Sequence, residues 1–321
     1  MSYTYFEKEF VVDTYFISPK ATPFLVAEIG LNHNNDLELA KRTISAAKKS
    51  GAKAVKFQSY ITEEFIDKDN LEAKFLFDIF KTYELSEQAH TVLHKTARDE
   101  GLIFFSTPLC ESAVDLLVSL KVPVIKIASG DIVNKQLLKK VTQTKLPIFL
   151  STGASDFFEV VRAIDFLKEE NVTKLCLLHC VSMYPTPYEN VNLHTLLFYK
   201  EIFSCPIGFS DHSAGNLASA IAVGLDACVI EKHFTLDKTL PGPDHSISLN
   251  PEEFSELAKS IELAFLMKGE RTKKLTEVEK NGRFYGRRSL YQKNQKFIAL
   301  RPALHLKQKN IADSWFQKEI E

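Results

Sequence analysis

Eight short apolar segments, each turning polar at its C-terminal end, constrain the fold of this chain more than any other feature. They read FLVAEIG (24–30), AVKFQSY (54–60), LIFFSTP (102–108), VIKIASG (124–130), PIFLSTG (147–153), KLCLLHC (174–180), IGFSDH (207–212) and CVIEKHF (228–234). Near-continuous apolar runs of this length suit strands buried on both faces, as in a parallel sheet. Between them lie helical patterns. Leu37, Ala40, Ile44 and Ala47 share one helical face that stops at Gly51. Phe157, Val160, Val161, Ile164 and Leu167 form a second face, with Asp156 and Glu159 spaced as an N-cap and its N3 partner. A third opens with Asn250, Pro251 and Glu253 and repeats Phe254, Leu257, Ala258, Ile261 and Phe265. Eight strands alternating with helices over roughly 250 residues predict an α/β fold closed as a (β/α)8 TIM barrel. The alternative is a doubly wound open sheet, weakened because no G-x-G-x-x-G follows any strand. The expected organisation is a hairpin or cap over residues 1–20, the barrel over 21–270, and a linker with a short module over 271–321.

Composition narrows the partners. A net charge of −1 leaves no electrostatic footprint for nucleic acid or an anionic membrane. No apolar run approaches the 18 or so residues that cross a bilayer, and MSYTYFEKEF lacks the pattern of a secretion signal. Cys110, Cys176, Cys180, Cys205 and Cys228 form no C-x-x-C pair and read as reduced core thiols. The expected compartment is the cytoplasm.

In a (β/α)8 barrel, chemistry sits where the strands end. Polar groups there are Glu28, Lys56 and Gln58, Ser106 and Thr107, Lys126 and Ser129, Ser151 and Thr152, His179 and Ser182, then Ser210, His212, Glu231 and His233. Ser106, Thr152 and His179 read as structural caps. The stretch from Ile207 to Phe234 looks like strand, helix, strand. Neighbouring strands lie about 5 Å apart, so His212 and His233 are expected to share one metal ion. The alternative is that each imidazole merely bonds a backbone carbonyl. Lys56 and Lys126 sit inside apolar strands, where an unpaired ammonium costs several kcal/mol or loses its proton. Either Glu28 and Glu231 pair with them, or an anionic ligand does. Two lysines beside a two-histidine metal point to chemistry on a phosphorylated acid.

Taken together, AEIGLNHNNDLELAK, AVKFQSY, FSTP, KIASGDI, STG, HCVSMYPTPYENVNL, GFSDHS and VIEKHFTLDKTLPGPDHSISL resemble the sialic acid synthase (NeuB-like) family of phosphoenolpyruvate-condensing enzymes. The resemblance runs from about residue 22 to 268, with a weaker echo to Pro302. It implies a barrel that condenses phosphoenolpyruvate with an N-acetylated hexosamine aldehyde, N-acetylmannosamine or a 2,4-diacetamido-6-deoxy analogue. The products would be a nine-carbon 2-keto acid sugar and phosphate, and the cofactor a divalent metal, Mn2+ or Mg2+. By the same resemblance His212 and His233 match the metal ligands. Lys56, Thr107, Lys126, Ser129, Ser151, Ser182 and Ser210 match positions that hold phosphoenolpyruvate. Glu28, Gln58, Tyr184 and Asp244 match the sugar pocket, and Arg301 a residue that reaches the N-acetyl group across a homodimer.

Glu28, Lys56, Lys126, His212 and His233 are the expected catalytic set. Glu28 would move a proton on the sugar or order water, and Glu231 would support the metal site from behind. Ser182 stands where some members have Asn. AEIGLNHN and PGPDHS argue against the pseudaminic branch, leaving N-acetylneuraminate, legionaminate or a relative. The C-terminal segment resembles a truncated antifreeze-like (SAF) module that begins with RRSLY, has a later RP and lacks the usual glycine-containing turn. Arg301 on a solvated edge is the alternative to its sugar contact. Two other functions are weighed: a Schiff-base aldolase using Lys56 or Lys126 as nucleophile, and a degenerate binding homologue without turnover.

Overall fold

The structure, a computed structural model, describes residues 4–307. The chain divides between Lys268 and Gly269 into two compact units. The first begins with an antiparallel hairpin of β1 (Phe10–Val12) and β2 (Tyr15–Ile17). Eight parallel strands follow: β3 (Phe24–Gly30), β4 (Ala54–Ser59), β5 (Ile103–Pro108), β6 (Ile125–Ile127), β7 (Ile148–Ser151), β8 (Leu175–Cys180), β9 (Ile207–Asp211) and β10 (Val229–His233). They close in the order β10-β3-β4-β5-β6-β7-β8-β9, with His233 of β10 in register with Glu28 of β3. The fold is therefore the closed (β/α)8 barrel and not the open sheet. Each of the eight apolar segments supplies one strand.

Helices start where their caps demand. Asp156 accepts from the Glu159 amide at 2.9 Å while Glu159 reaches back to the Asp156 amide at 2.9 Å, opening the helix Phe157–Glu169. Asn250 and Glu253 exchange the same pair of bonds ahead of Pro251–Lys268. The helix Leu37–Lys49 is capped by Asp36, and Gly51 lies just beyond its end at φ +96°, a backbone region where glycine carries no penalty.

Strand parity does the rest. Leu25, Ala27, Val55, Phe57 and Phe104 point outward and join the core formed with the surrounding helices. Phe24, Val26, Ala54, Ile103, Phe105, Phe149, Cys176, Leu178 and Val229 point inward and fill the barrel's lower half. Phe10, Val12 and Ile17 of the hairpin belong to that same cluster. Phe149 meets Phe24 and Phe105 edge-on at centroid distances of 6.1 and 5.8 Å, a favoured aromatic geometry. At Gly208 a Cβ would come within 2.4 Å of Leu178 and 2.9 Å of Val229, so β9 has no room for an inward side chain at that layer. Counting two residues up each strand from this apolar layer arrives at Glu28, Lys56, Ser151, Cys180, Ser210 and Glu231. The polar mouth is thus the next storey of the same packed interior.

The second unit holds a helix, Glu277–Gly286, opened by a Thr276/Glu279 capping box, and an antiparallel hairpin, β11 (Ser289–Lys293) and β12 (Lys296–Leu300). The hairpin turns through Asn294 and Gln295 at φ 50° and 62°, so a turn without glycine is made by residues held in the left-handed region. The rest of the expected module, 308–321, lies outside the described residues. Among the described residues, no helix is long and apolar enough to cross a membrane.

Candidate active site

The C-terminal ends of the barrel strands surround a cavity of about 380 Å3. Fourteen of the fifteen residues singled out above line it: Glu28, Lys56, Gln58, Thr107, Lys126, Ser129, Ser151, Ser182, Tyr184, Ser210, His212, Glu231, His233 and Asp244. Arg301 belongs to the second unit, exposed just after β12.

Two lysines and two glutamates form the floor. Lys56 Nζ lies 2.8 Å from Glu28 Oε2 and 3.6 Å from Glu231 Oε1, and donates to Thr107 Oγ1 at 3.0 Å. Lys126 Nζ donates to the Ile127 carbonyl at 3.0 Å, and its carboxylate partner, Glu231 Oε1, is 3.9 Å away. All four side chains are buried. Their charges settle unequally. Burial works against the Lys56 ammonium, but Glu231 and Glu28 hold its pKa above the ordinary lysine value. Burial wins at Lys126 and lowers its pKa. Burial also raises the Glu28 carboxyl to about 7, against the pull of Lys56. Glu231, equally buried, stays below the usual carboxylate value because Lys126, Lys56 and the Ser210 hydroxyl favour its anion. Ser210 donates to Glu231 Oε1 at 2.9 Å. The ion-pair alternative is therefore real for Lys56 and much weaker for Lys126.

Hydroxyls gather on the β6–β9 side. Ser151 Oγ is buried with no hydrogen-bond partner, and the Gly153 amide donates to Ser129 Oγ at 3.0 Å. A Cβ at Gly153 would stand 2.3 Å from Ser182 Oγ, 2.7 Å from Ser129 Oγ and 3.1 Å from Cys180 Sγ, so three polar side chains converge on a spot kept open by glycine.

The two histidines face each other with ring centroids 5.5 Å apart. His212 Nδ1 bonds the Val181 carbonyl at 2.9 Å, the backbone contact named above as the alternative, and Nε2 is the nitrogen left free of that bond. His233 Nδ1 is buried without a hydrogen-bond partner, 3.9 Å from Asp244 Oδ2. Burial, with His212 and Lys56 beside it, holds the His233 pKa well below the ordinary histidine value, so the ring is neutral and ready to donate a lone pair. A metal 2.0–2.1 Å from one nitrogen of each ring would sit about 3.2 Å from either centroid, which a 5.5 Å separation accommodates. The pair thus offers two ring nitrogens to a divalent ion, and among the described residues no cluster of three or more His, Cys, Asp or Glu groups surrounds that point. The Tyr184 ring lies against His212, tilted by 32° with centroids 4.1 Å apart.

Ser106, Thr152 and His179 do serve structure. Ser106 bonds Ser59 at 2.7 Å, Thr152 the Leu178 carbonyl at 3.1 Å, and His179 the Val191 carbonyl at 2.7 Å. Sequence reasoning missed two features. Cys180, taken for a core thiol, also lines the cavity, 3.7 Å from His212 Nδ1. Its inward parity at the end of β8 was the available signal. The other is an apolar wall of Leu31, Leu76, Ile79, Phe80 and Leu109. Three of these come from the helix Lys74–Tyr83 in the long β4–β5 connection.

Comparison with known proteins places the chain among relatives of one family. The chain is 42% identical over 283 residues to the N,N'-diacetyllegionaminic acid synthase of Legionella pneumophila, covering 84% of this chain and 80% of that protein. It is 37% identical over 319 residues to the pseudaminic acid synthase of Helicobacter pylori, covering 93% and 92%. The crystal structure of N-acetylneuraminic acid synthetase from Leptospira borgpetersenii, in complex with citrate, superposes with a TM-score of 0.81 at 32% identity, covering 87% of this chain and 96% of that one. A family model described as the NeuB family matches residues 43–273. With that span matched and relatives of this identity over most of their own length, the chain belongs to the NeuB family.

Proposed function

We propose that this chain is a nonulosonic (sialic-type) acid synthase that condenses phosphoenolpyruvate with the open-chain aldehyde of an N-acetylated hexosamine. The observation that carries this reading is Lys126, a buried ammonium 3.9 Å from its carboxylate partner and lining the same cavity as Ser129, Ser151 and Ser182. A buried cation so weakly compensated calls for an anion, and a phosphorylated carboxylate supplies one.

In this reading Lys126, Lys56, Thr107 and the four serines bind the donor, fix it at attack distance and neutralise the departing phosphate. A new bond forms between C3 of phosphoenolpyruvate and the aldehyde carbon, and the aldehyde oxygen takes up a proton. Water adds at C2, and the C2–O bond then breaks to release phosphate and leave the 2-keto acid. His212 and His233 would hold a divalent metal, Mn2+ or Mg2+, which when bound would supply Lewis-acid polarisation of the aldehyde oxygen. Glu28, which keeps its proton to about pH 7, is the proposed proton carrier at the sugar or at the attacking water. Glu231 holds Ser210 and balances the two lysines. Gln58, Tyr184, Asp244 and Arg301 are assigned to the sugar, Arg301 through a homodimer. We place the reaction in the cytoplasm, in keeping with five buried free cysteines.

The test is phosphate release from phosphoenolpyruvate with and without N-acetylmannosamine or its 2,4-diacetamido-6-deoxy analogue. Release that needs both the sugar and a divalent ion, and stops with EDTA, is expected. The lowered pKa of Lys126 favours one other reading, a Schiff-base aldolase. Borohydride trapping with an oxo acid, unaffected by EDTA, would establish that instead.

A further inference from the structure

Asp244 reaches the cavity from farther along the chain than any other polar residue lining it, eleven positions past His233 in the loop between β10 and the helix Pro251–Lys268. The regular structure of that loop is a bridge between Phe234 and Leu249 at its base and one 3-10 turn, His245–Ile247. Its tip nonetheless sets a carboxylate in close quarters. A Cβ at Gly30, itself at φ +52°, would stand 3.1 Å from Glu28 Oε1 and 3.3 Å from Asp244 Oδ2, so the two carboxyls converge on one point. Burial raises the Asp244 carboxyl above the ordinary aspartate value, and the Leu31 amide, His212 and Lys56 offset only part of that. A carboxylate so little compensated gains by turning out to water. Its backbone must be held for it to stay.

The hold comes from the loop after β3. Asn32 Nδ2 donates to the Phe234 carbonyl at 2.9 Å and to Ser248 Oγ at 2.8 Å, and Ser248 in turn donates to the Asp244 carbonyl at 2.6 Å. Asn34 Nδ2 donates to the Pro241 carbonyl at 2.9 Å, which turns its Oδ1 toward His245 Nε2, 3.0 Å away. His245 therefore carries its proton on Nε2, and Nδ1 accepts from the Thr235 hydroxyl at 2.7 Å. His245 and Ser248 are fully buried. The parts close on one another at Gly242, φ +150°, where a Cβ would stand 2.8 Å from His245 Cδ2 and 3.1 Å from Asn34 Oδ1. Neither Asn34 nor His245 lines the cavity.

We propose that Asn34 and His245 are positioning residues: they clasp the loop after β10 to the loop after β3, and so hold the Asp244 carboxylate beside Glu28 for the acceptor sugar. Asn32 and Ser248 fix the same loop on the other side of Asp244, through its carbonyl. This inference rests on the synthase reading above, in which Asp244 serves the sugar, and it adds residues that act on that sugar only through Asp244.

The test is a double-mutant cycle in the full chain, read as KM for each substrate in the phosphate-release assay, with whichever of N-acetylmannosamine and its 2,4-diacetamido-6-deoxy analogue supports release. Asn34 is half-buried at φ 50°, so Asn34→Gly removes both of its side-chain bonds and adds no backbone strain. Asp244→Ala is expected to raise the sugar KM about tenfold or more, and Asn34→Gly about fivefold, the range set by losing or misplacing a charged hydrogen bond. In the Asp244→Ala background Asn34→Gly is expected to add less than about twofold, because the group it positions is gone. KM for phosphoenolpyruvate should stay at the parental value in all three variants. A parental sugar KM in either single variant, equal rises in both KM values, or independent effects in the double variant overturns the inference and leaves the synthase reading standing. Absence of sugar-dependent phosphate release from the unaltered chain overturns both.

Discussion

Glu28 sits in register with Lys56 on one side and His233 on the other, so it borders both the ammonium floor and the histidine pair. Its carboxyl is raised from 4.5 to about 7 by burial. In the unfolded chain it ionises at its ordinary value. Between these two values the folded state binds more protons, so this group's contribution to stability is full below about pH 4.5 and is lost as pH rises through about 7. Glu28→Gln mimics the protonated form and removes that dependence. Its melting temperature relative to the unaltered protein is expected to improve from pH 5 to about pH 7 and to level off above that, read by thermal unfolding in a pH series. A constant difference would mean that Lys56 keeps the carboxylate ionised throughout. Gly153 offers a sharper probe of the cradle. A methyl group there meets Ser182 Oγ and Ser129 Oγ well inside contact distance. Gly153→Ala is expected to raise KM for phosphoenolpyruvate by about tenfold or more, an uncompensated loss of one to two hydrogen bonds, with KM for the sugar nearly unmoved. Steady-state kinetics with each substrate varied in turn would show it.

Two neighbours of the histidines, Asp211 and Lys232, take the opposite parity on β9 and β10 and so face away from the cavity. There they form a closed polar knot. Lys232 Nζ is 2.9 Å from Asp211 Oδ2 and donates to the Ser213 carbonyl at 2.6 Å. Asp211 accepts from the Ser213 amide and hydroxyl and from Ser219 Oγ. Both residues are 1% exposed, so this knot ties β10 to β9 and to the loop after His212 without solvent help. Lys232→Met leaves a buried carboxylate uncompensated and is expected to cost about 3–5 kcal/mol of stability. Adding Asp211→Asn should recover part of it. Denaturant titration of the two single variants and the double gives the coupling, and additive losses would sink the idea.

At this scale much was legible in the sequence, because caps and strand parity are local physics. The Asp156/Glu159 and Asn250/Glu253 boxes form as their spacing predicts. The inward parity of Lys56, Lys126 and Glu231 follows from the apolar residues two positions below them. The helix Lys74–Tyr83 was not legible. Its leucine, isoleucine and phenylalanines have the periodicity of any core-facing helix, and only the closed ring reveals that they border an opening. For the same reason Cys180 looked like one more core thiol until its layer was known.

The two units carry different kinds of information about the whole chain. All the buried residues of the three hydrophobic clusters precede Lys268, so the barrel unit contains its own core. The floor of the site, with its lysines, glutamates and histidines, is likewise complete within that unit. The one proposed contact from elsewhere is Arg301, and sequence could not place it because nothing local in RP fixes where a short hairpin docks. Function can. If Arg301 serves the acceptor's N-acetyl group across a homodimer, Arg301→Ala should raise KM for the sugar by about tenfold or more, the usual effect of losing a hydrogen bond to a charged group. KM for phosphoenolpyruvate and metal affinity, both assigned to barrel residues in the proposed reading, should not move. The effect should also fade when the protein is diluted below its dimer dissociation constant, since the unaltered chain then loses the same contact. An Arg301→Ala variant indistinguishable from the parent under both conditions would make Arg301 a solvated edge residue. Acceptor recognition would then rest on the barrel's own rim, with Asp244, Gln58 and Tyr184 doing all of it.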